Sequence, residues 1–437
     1  MLSRRDFLKR TALFTPAMYG ALSLIDRPKN AYGADRIAAN ATQAAVQAAV
    51  NLAVDGDRVL IPNGSATWTT GITTSKQIII QAQNYTPTPG GTGTRNVTIT
   101  NNSAGGLFAF NTGNSFHCGL GGIRFNEGTQ ITNDVSFSGS GSKVGLLFDC
   151  YFQVSARFGN AAQVSVVPYL GLGGVTWNCF FDGTGFIGGG GPADSGACSL
   201  VRSSRAWATA STMGMLDANG NQNTYFENCT WDHIWNQAID VEDNGRAVIR
   251  HSTIRSTQFL THGSTGLAGG RFVEFYNNAF QMRTPDVSLV RYMWFRAGTG
   301  LFADNTFEDI DSVTYGPQSE VVLCVENASR PGQFGCATSY PAFHQIGQGH
   351  NGTSQVSDPM YFWNNTGTMQ ISLNDGEPNT CGGTTSTYCQ QNRDYFVNAG
   401  AKPGYTKFTY PHPFRAVVDG GGSPTPQPVP PQGLTVS

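Results

Sequence analysis

Seven short segments of this chain fall on one template: Leu146-Leu147-Phe148-Asp149-Cys150, Val175-Thr176-Trp177-Asn178-Cys179, Tyr225-Phe226-Glu227-Asn228-Cys229, Val248-Ile249-Arg250-His251-Ser252, Glu274-Phe275-Tyr276-Asn277-Asn278, Leu301-Phe302-Ala303-Asp304-Asn305 and Tyr361-Phe362-Trp363-Asn364-Asn365. Their last positions step by 29, 50, 23, 26, 27 and 60 residues, and the central steps match one coil of a β-solenoid. One coil cannot bury its own apolar face, so the coils must stack and share a continuous core. At 437 residues the chain has room for two or three ordinary domains, and the repeat decides for one long solenoid instead.

Strand side chains alternate between faces. The column Leu147, Thr176, Phe226, Ile249, Phe275, Phe302, Phe362 is apolar with one exception and is expected in the core. Two residues on, the Asp149, Asn178, Asn228, His251, Asn277, Asp304, Asn364 column should point inward with it, forming a polar ladder at the coil spacing of about 4.8 Å. The residues between face out: Phe148, Trp177, Glu227, Arg250, Tyr276 and Ala303, flanked by Leu146, Val175, Tyr225, Val248, Glu274 and Leu301. Trp177, Tyr225 and Tyr276 then offer flat surfaces for sugar rings, with Glu227, Arg250 and Glu274 beside them to bond hydroxyls or carboxylates.

Charged residues make up 13% of the chain and the net charge is -2, which gives no electrostatic basis for nucleic acid or an anionic membrane as partner. The glycines have no three-residue period, which excludes a collagen-like chain. Ser3-Arg4-Arg5-Asp6-Phe7-Leu8-Lys9 precedes an apolar stretch to Ile25 and closely resembles a twin-arginine export signal, with small residues for cleavage near Ala31 to Ala34. No later stretch is long and apolar enough to span a bilayer, so residues 1–34 read as a signal and the mature chain as a periplasmic or extracellular monomer. Nine cysteines in an exported chain suggest disulfides, and Cys324–Cys336 and Cys381–Cys389, each bracketing a short loop, are the expected pairs. Cys150, Cys179 and Cys229 share one repeat column, pointing outward by strict alternation or bending into the following turn.

Ile37 to Val54 reads as a helix with contacts at Val46, Val50 and Val54, capping strand edges that would otherwise be open. Asp55-Gly56-Asp57 turns the chain into the first coils. Residues 35–415 form the solenoid with a packing segment from Arg393 to Arg415 along the outside of its last coils, and residues 416–437 read as a flexible Gly/Pro-rich tail. The repeat, the capping helix and the segment Tyr405-Thr406-Lys407-Phe408-Thr409-Tyr410-Pro411-His412-Pro413 look like exported bacterial proteins of the pectate-lyase-like superfamily. That resemblance implies an all-β, single-stranded, right-handed parallel β-helix.

Three successive coils carry a strand ending in a polar residue before a glycine-containing turn: Ala238-Ile239-Asp240, Leu260-Thr261-His262 and Trp294-Phe295-Arg296. Equivalent positions stack, so Asp240, His262 and Arg296 should form a short column, with Arg246, Arg250, Arg271 and Glu274 across the turn. A carboxylate beside an imidazole orients it, and a guanidinium supplies a fixed positive charge. His262 stands out among the histidines because Gly263 permits close approach of a ligand. The superfamily resemblance implies β-elimination on a uronate-containing glycan, with His262 as base, Asp240 orienting it and Arg296 or Arg250 clamping the carboxylate. Calcium can replace part of that clamp at the carboxylate-rich turn Asp240, Glu242, Asp243, although the ligand order matches no defined calcium loop. Trp231-Asp232-His233 and Thr261-His262-Gly263 partly match pectate-lyase and polygalacturonase motifs, whose other motifs are missing, and Trp231 falls in an apolar column. A glycoside hydrolase using Asp240 with Asp243 or Glu274, and a non-catalytic glycan-binding solenoid, are the competing readings.

Overall fold

The computed structural model describes residues 33–130, 132–154, 167–171, 173–184, 198–202, 217, 219–234, 237–263, 269–281, 291–308, 321–329, 331, 335–351, 353–367, 369–374 and 380–419. The segment read as an export signal, apart from its last two residues, and the segment from 420 onward lie outside them. Three all-parallel sheets of twelve, ten and nine strands run the length of the described chain, and successive coils add one strand to each. One coil passes from Thr224–Glu227 in the twelve-stranded sheet to Thr230–Asp232 in the nine-stranded sheet and Ile239–Val241 in the ten-stranded sheet, then begins again at Arg246–Arg250. The chain is a parallel β-helix.

Phe226, Ile249, Phe275, Phe302 and Phe362 are register partners on successive strands and are all buried in the lumen. Phe275 and Phe302 stack at 4.7 Å, and Phe302 and Phe362 at 5.1 Å. A second stack, Phe125, Phe152, Phe181 and Trp231, runs inside the nine-stranded sheet. Trp231 is therefore core, as its column indicated.

The polar ladder is displaced by one residue from its expected place. Asp149, Asn178, Asn228, His251, Asn277, Asp304 and Asn364 all have φ between 50° and 58°. A left-handed residue breaks the two-residue alternation, and Asn, Asp and His are the side chains that tolerate it best after glycine. The following column, Cys150, Cys179, Cys229, Ser252, Asn278, Asn305 and Asn365, is consequently the one that turns inward. Asn278 Nδ2 donates to Asn305 Oδ1 at 3.0 Å and to the Ile249 carbonyl at 2.9 Å. Asn305 repeats this toward Asn365 and the Phe275 carbonyl, both at 3.0 Å. The three cysteines are buried thiols in the same column and do not point outward as strict alternation would have them.

Neither long step inserts a coil into the twelve-stranded sheet, because Gly174–Trp177 pairs directly with Thr224–Glu227 and Thr299–Ala303 with Met360–Trp363. The capping helix is shorter than expected, Gln43–Leu52, with Thr42 as N-cap accepting from the Ala45 amide. Val46 and Val50 are buried against the first coils, whereas Val54 lies past the helix end and is exposed. One disulfide joins Cys336 to Cys381, and neither expected pair forms. The amides of Thr380 and Cys381 bond the Ser329 carbonyl, which brings the two loops side by side, so the bond crosses between loops instead of closing one. Cys324 and Cys389 are buried thiols.

Replacing Phe275 with Ala removes one buried ring that packs on Phe259, Phe280 and Phe302. Chemical denaturation should show a loss of about 3 to 5 kcal/mol.

Candidate functional site

The aromatic and charged wall on the twelve-stranded sheet faces away from the lumen, as read, but it is covered. Residues 405–418 lie across it, and Tyr405, Phe408, Phe414, Val417 and Val418 pack on Leu146, Phe148, Val175, Trp177, Tyr225, Val248, Tyr276 and Leu301. The segment read from Arg393 begins inside the fold, since Tyr395–Val397 is the last strand of the twelve-stranded sheet. The covering chain reaches back past the last coils to Leu146 and Phe148 and continues through the helix Arg415–Asp419, past the boundary read at residue 415. Arg250 is buried: its Nε donates to Glu227 Oε1 at 2.8 Å, and its Nη atoms donate to Tyr276 Oη at 2.6 Å and the carbonyls of Phe408 and Thr409 at 2.7 and 2.8 Å. Glu227 also accepts from the His412 amide and from Arg415 at 3.2 Å. Burial alone would raise the Glu227 carboxyl, but Arg250 and then Arg415 hold it below the usual range. Trp177, Tyr225, Tyr276, Glu227, Glu274 and Arg250 thus form an interface within the chain, and the expected sugar-stacking surface is closed.

The candidate site lies instead on the outside of the ten-stranded sheet. Register partners there place Arg202, Glu242, His262 and Arg296 one per coil at the ends of successive strands, with Asp240 two residues before Glu242. His262 Nδ1 lies 2.8 Å from Asp240 Oδ2 and 3.4 Å from Glu242 Oε2. Asp240 is buried, while the His262 side chain remains 34% exposed. Arg202 donates through Nε to Glu242 Oε1 at 2.5 Å and has a side chain 39% exposed. The Glu242 carboxyl is raised by burial and by the neighbouring Asp240. Asp240 and His262 do meet, but not as equivalent positions of one column: Asp240 pairs with Leu260, and it is Glu242 that stands level with His262.

Arg296 is adjacent but differently employed. Its Nη1 pairs with buried Glu326 at 2.7 Å, its Nε donates to the Thr261 carbonyl at 2.7 Å, and its guanidinium lies 4.5 Å over Trp294. Arg296 and Arg202 both have carboxylate partners, but Arg296 is buried while Arg202 is 39% exposed, so the guanidinium a ligand can reach at this cluster is Arg202, which the sequence reading did not select. Gly263 serves the same packing: a Cβ there would lie 2.3 Å from Glu326 Oε2, so the space that glycine opens is filled by Glu326 and not left to a ligand. Arg246 and Arg271 are buried, and Arg271 donates to the Gln348 carbonyl at 3.4 Å. Neither reaches the cluster. Asp232 and His233 bond each other on the nine-stranded sheet, away from this site.

Asp240, Glu242 and His262 present three ligand atoms within 4.8 Å of one another, a donor set that fits a divalent cation. Asp243, the third expected calcium ligand, is not part of this group and occupies a left-handed turn position at φ 48°. Glu274, one expected hydrolase partner of Asp240, is buried on another sheet beneath Tyr405.

No protein-family model matches the chain, and no curated protein matches it. Solved structures similar to it include a family 6 polysaccharide lyase from Pseudopedobacter saltans (12% identity, TM-score 0.42, covering 84% of this chain and 92% of that one). Others are a family 6 alginate lyase bound to a trisaccharide (13%, TM-score 0.37, 86% and 97%) and the catalytic domain of a family 87 α-1,3-glucanase bound to nigerose (9%, TM-score 0.38, 85% and 68%).

The covered wall generates a pH prediction. Burial pushes the Glu274 carboxyl up to about 8, and Tyr405 Oη donates to it at 2.5 Å. Below the unfolded carboxyl value near 4.5 both states hold the proton. Above it the unfolded chain loses the proton first, so this group's stabilising contribution declines as pH rises from there to about 8. Glu274→Gln removes that decline. Melting curves at pH 5 and pH 8 should show the variant losing about 2 °C less than wild type, or better, over the interval.

Proposed function

We propose that this protein is an exported polysaccharide lyase that cleaves a uronate-containing glycan by β-elimination on the outer face of the ten-stranded sheet. The substrate class follows the resemblance of the repeat and the covering segment to pectate-lyase-like proteins. One observation carries the chemistry: a buried carboxylate, Asp240, bonded to Nδ1 of a partly exposed imidazole. With the proton held on Nδ1, Nε2 presents a lone pair to solvent, the form a general base requires. His262 removes the proton α to the uronate carboxylate through Nε2. The electron pair forms the α,β carbon–carbon double bond as the bond to the glycosidic oxygen breaks, and that oxygen takes up a proton from water. Arg202 supplies the positive charge that stabilises the enediolate. Arg296 positions the Thr261–His262 strand end through its bond to the Thr261 carbonyl.

A hydrolase needs two carboxyl groups at least about 5 Å apart, flanking the scissile bond. Of the two partners a hydrolase would give Asp240, Glu274 is buried on another sheet and Asp243 lies outside the Asp240, Glu242 and His262 group, which favours elimination. A cation at Asp240, Glu242 and His262 Nδ1 would leave the imidazole proton on Nε2 and turn His262 from base into donor. The two modes exclude each other.

Turnover of polyuronates is read as ultraviolet absorbance of the unsaturated product. His262→Ala should lower it by about a hundredfold or more, and Arg202→Gln should lower it by about tenfold or more, with unchanged melting curves. A chelator should leave wild-type turnover intact. Reducing-end release without new absorbance would reject elimination, and full activity in His262→Ala would reject the base. Chelator-sensitive activity restored by calcium would reassign His262 as a cation ligand.

A further inference from the structure

A second feature lies on a different face, where the nine-stranded sheet meets residues 86–95. Arg124, Tyr151 and Phe180 are register partners on three successive coils and form a half-buried outward column. The Arg124 guanidinium lies 4.1 Å over the Tyr151 ring, whose other side stacks on Phe180 at 5.4 Å. Opposite them the loop carrying Gly91 to Thr94 closes a cavity of about 410 Å³. The loop is pressed onto the coils. Gly91 has φ 70° and a Cβ there would lie 2.4 Å from the Phe180 amide nitrogen, while the Gly90 amide donates to the Asn228 carbonyl at 2.7 Å. The cavity wall is thus preformed and does not depend on a ligand to order it.

Its charge is the informative part. Arg36, Arg58, Arg202, Arg255 and Arg296 each have a carboxylate partner. Arg95 and Arg124, which both line this cavity, have none among the described residues. Arg95 donates to the neutral carbonyls of Asp149 at 2.8 Å, Gly91 at 2.6 Å, Gly93 and Asn178 at 3.4 Å. Arg124 donates to Asn126 Oδ1 at 2.9 Å. No lining residue is acidic, and Thr92 and Thr94 stand exposed at the rim. The nearest carboxylate is Asp182, which accepts from the Tyr151 hydroxyl and forms no ion pair with either arginine among the described residues. Two guanidinium groups beside hydroxyls and aromatic ring edges thus make a concave site complementary to an anionic, hydroxylated ring.

We propose that this cavity is a second glycan-binding site, separate from the His262 cluster, that takes a carboxylated sugar unit of an acidic polysaccharide. The ligand class rests on the reading above, and the site itself does not. The test is affinity electrophoresis in native gels containing polygalacturonate, alginate or neutral dextran. It uses a His262→Ala, Arg202→Gln background so that the first cluster contributes little. Retention by a polyuronate but not by dextran is expected, weakened about fivefold or more by Arg124→Gln and by Tyr151→Leu, which keeps apolar volume but removes the ring. Melting curves establish that both variants fold, and if Tyr151→Leu does not, Arg124→Gln alone decides. Retention unchanged in Arg124→Gln, absent in the background protein, or equal in dextran would overturn the proposal. So would displacement by inorganic phosphate as effective as by a uronate trisaccharide, which would mark a general anion site. Absence of turnover in wild type would sink the lyase reading while leaving this result to stand or fall by retention.

Discussion

The structure depends on a left-handed corner repeated once per coil. Each of Asp149, Asn178, Asn228, His251, Asn277, Asp304 and Asn364 turns the chain from the twelve-stranded into the nine-stranded sheet at positive φ. The corner does two things together. It sets the angle between two sheets, and it directs the next residue into the lumen, where cysteine, serine and then asparagine build one column. The asparagines bond both to each other and to backbone carbonyls, so register between coils is enforced by groups that would be costly to bury unpaired.

That register also aligns everything outside the lumen. On the twelve-stranded sheet it stacks Glu227, Arg250 and Tyr276 into a row, which the covering segment meets with two carbonyls, a histidine amide and Arg415. A buried ion pair of this kind contributes little net stability but is severely destabilising when half broken. Its consequence here is specificity, because only a chain segment offering those acceptors to Arg250 and those donors to Glu227 can lie on the row. On the ten-stranded sheet the same register lines up Arg202, Glu242, His262 and Arg296, and on the nine-stranded sheet Arg124, Tyr151 and Phe180. The three faces therefore share one spacing and carry three different chemistries: a sealed interface, a His-Asp pair with a nearby guanidinium, and a cavity lined by two guanidinium groups.

The coil period, the apolar column, the capping helix and the covering segment were legible in the sequence because each is a local pattern repeated or bounded by a clear composition change. The meeting of Asp240 and His262 was legible because their strands lie one coil apart, although Glu242, and not Asp240, shares His262's place at the strand end. Arg202 was not, because its strand is separated from Glu242 by 40 residues, although Ser199-Leu200-Val201 before it is a short strand-like run. Glu326 was invisible, as nothing local marks it as the partner of Arg296. The disulfide escaped because proximity along the chain is a poor guide where loops from neighbouring coils lie side by side.

What the sequence by itself determined is the repeat, and with it a stack of parallel coils whose inward and outward columns follow from side-chain alternation and from the residues that tolerate positive φ. What only the tertiary structure decided is which outward column remains open. Exposure of a solenoid face is a property of whatever segment folds back over it, and residues 405–418 carry that decision from far along the chain. The same aromatic and charged row reads as a binding surface in isolation and as a sealed interface once covered, because burial is settled by packing between segments whose separation in sequence carries no local signal.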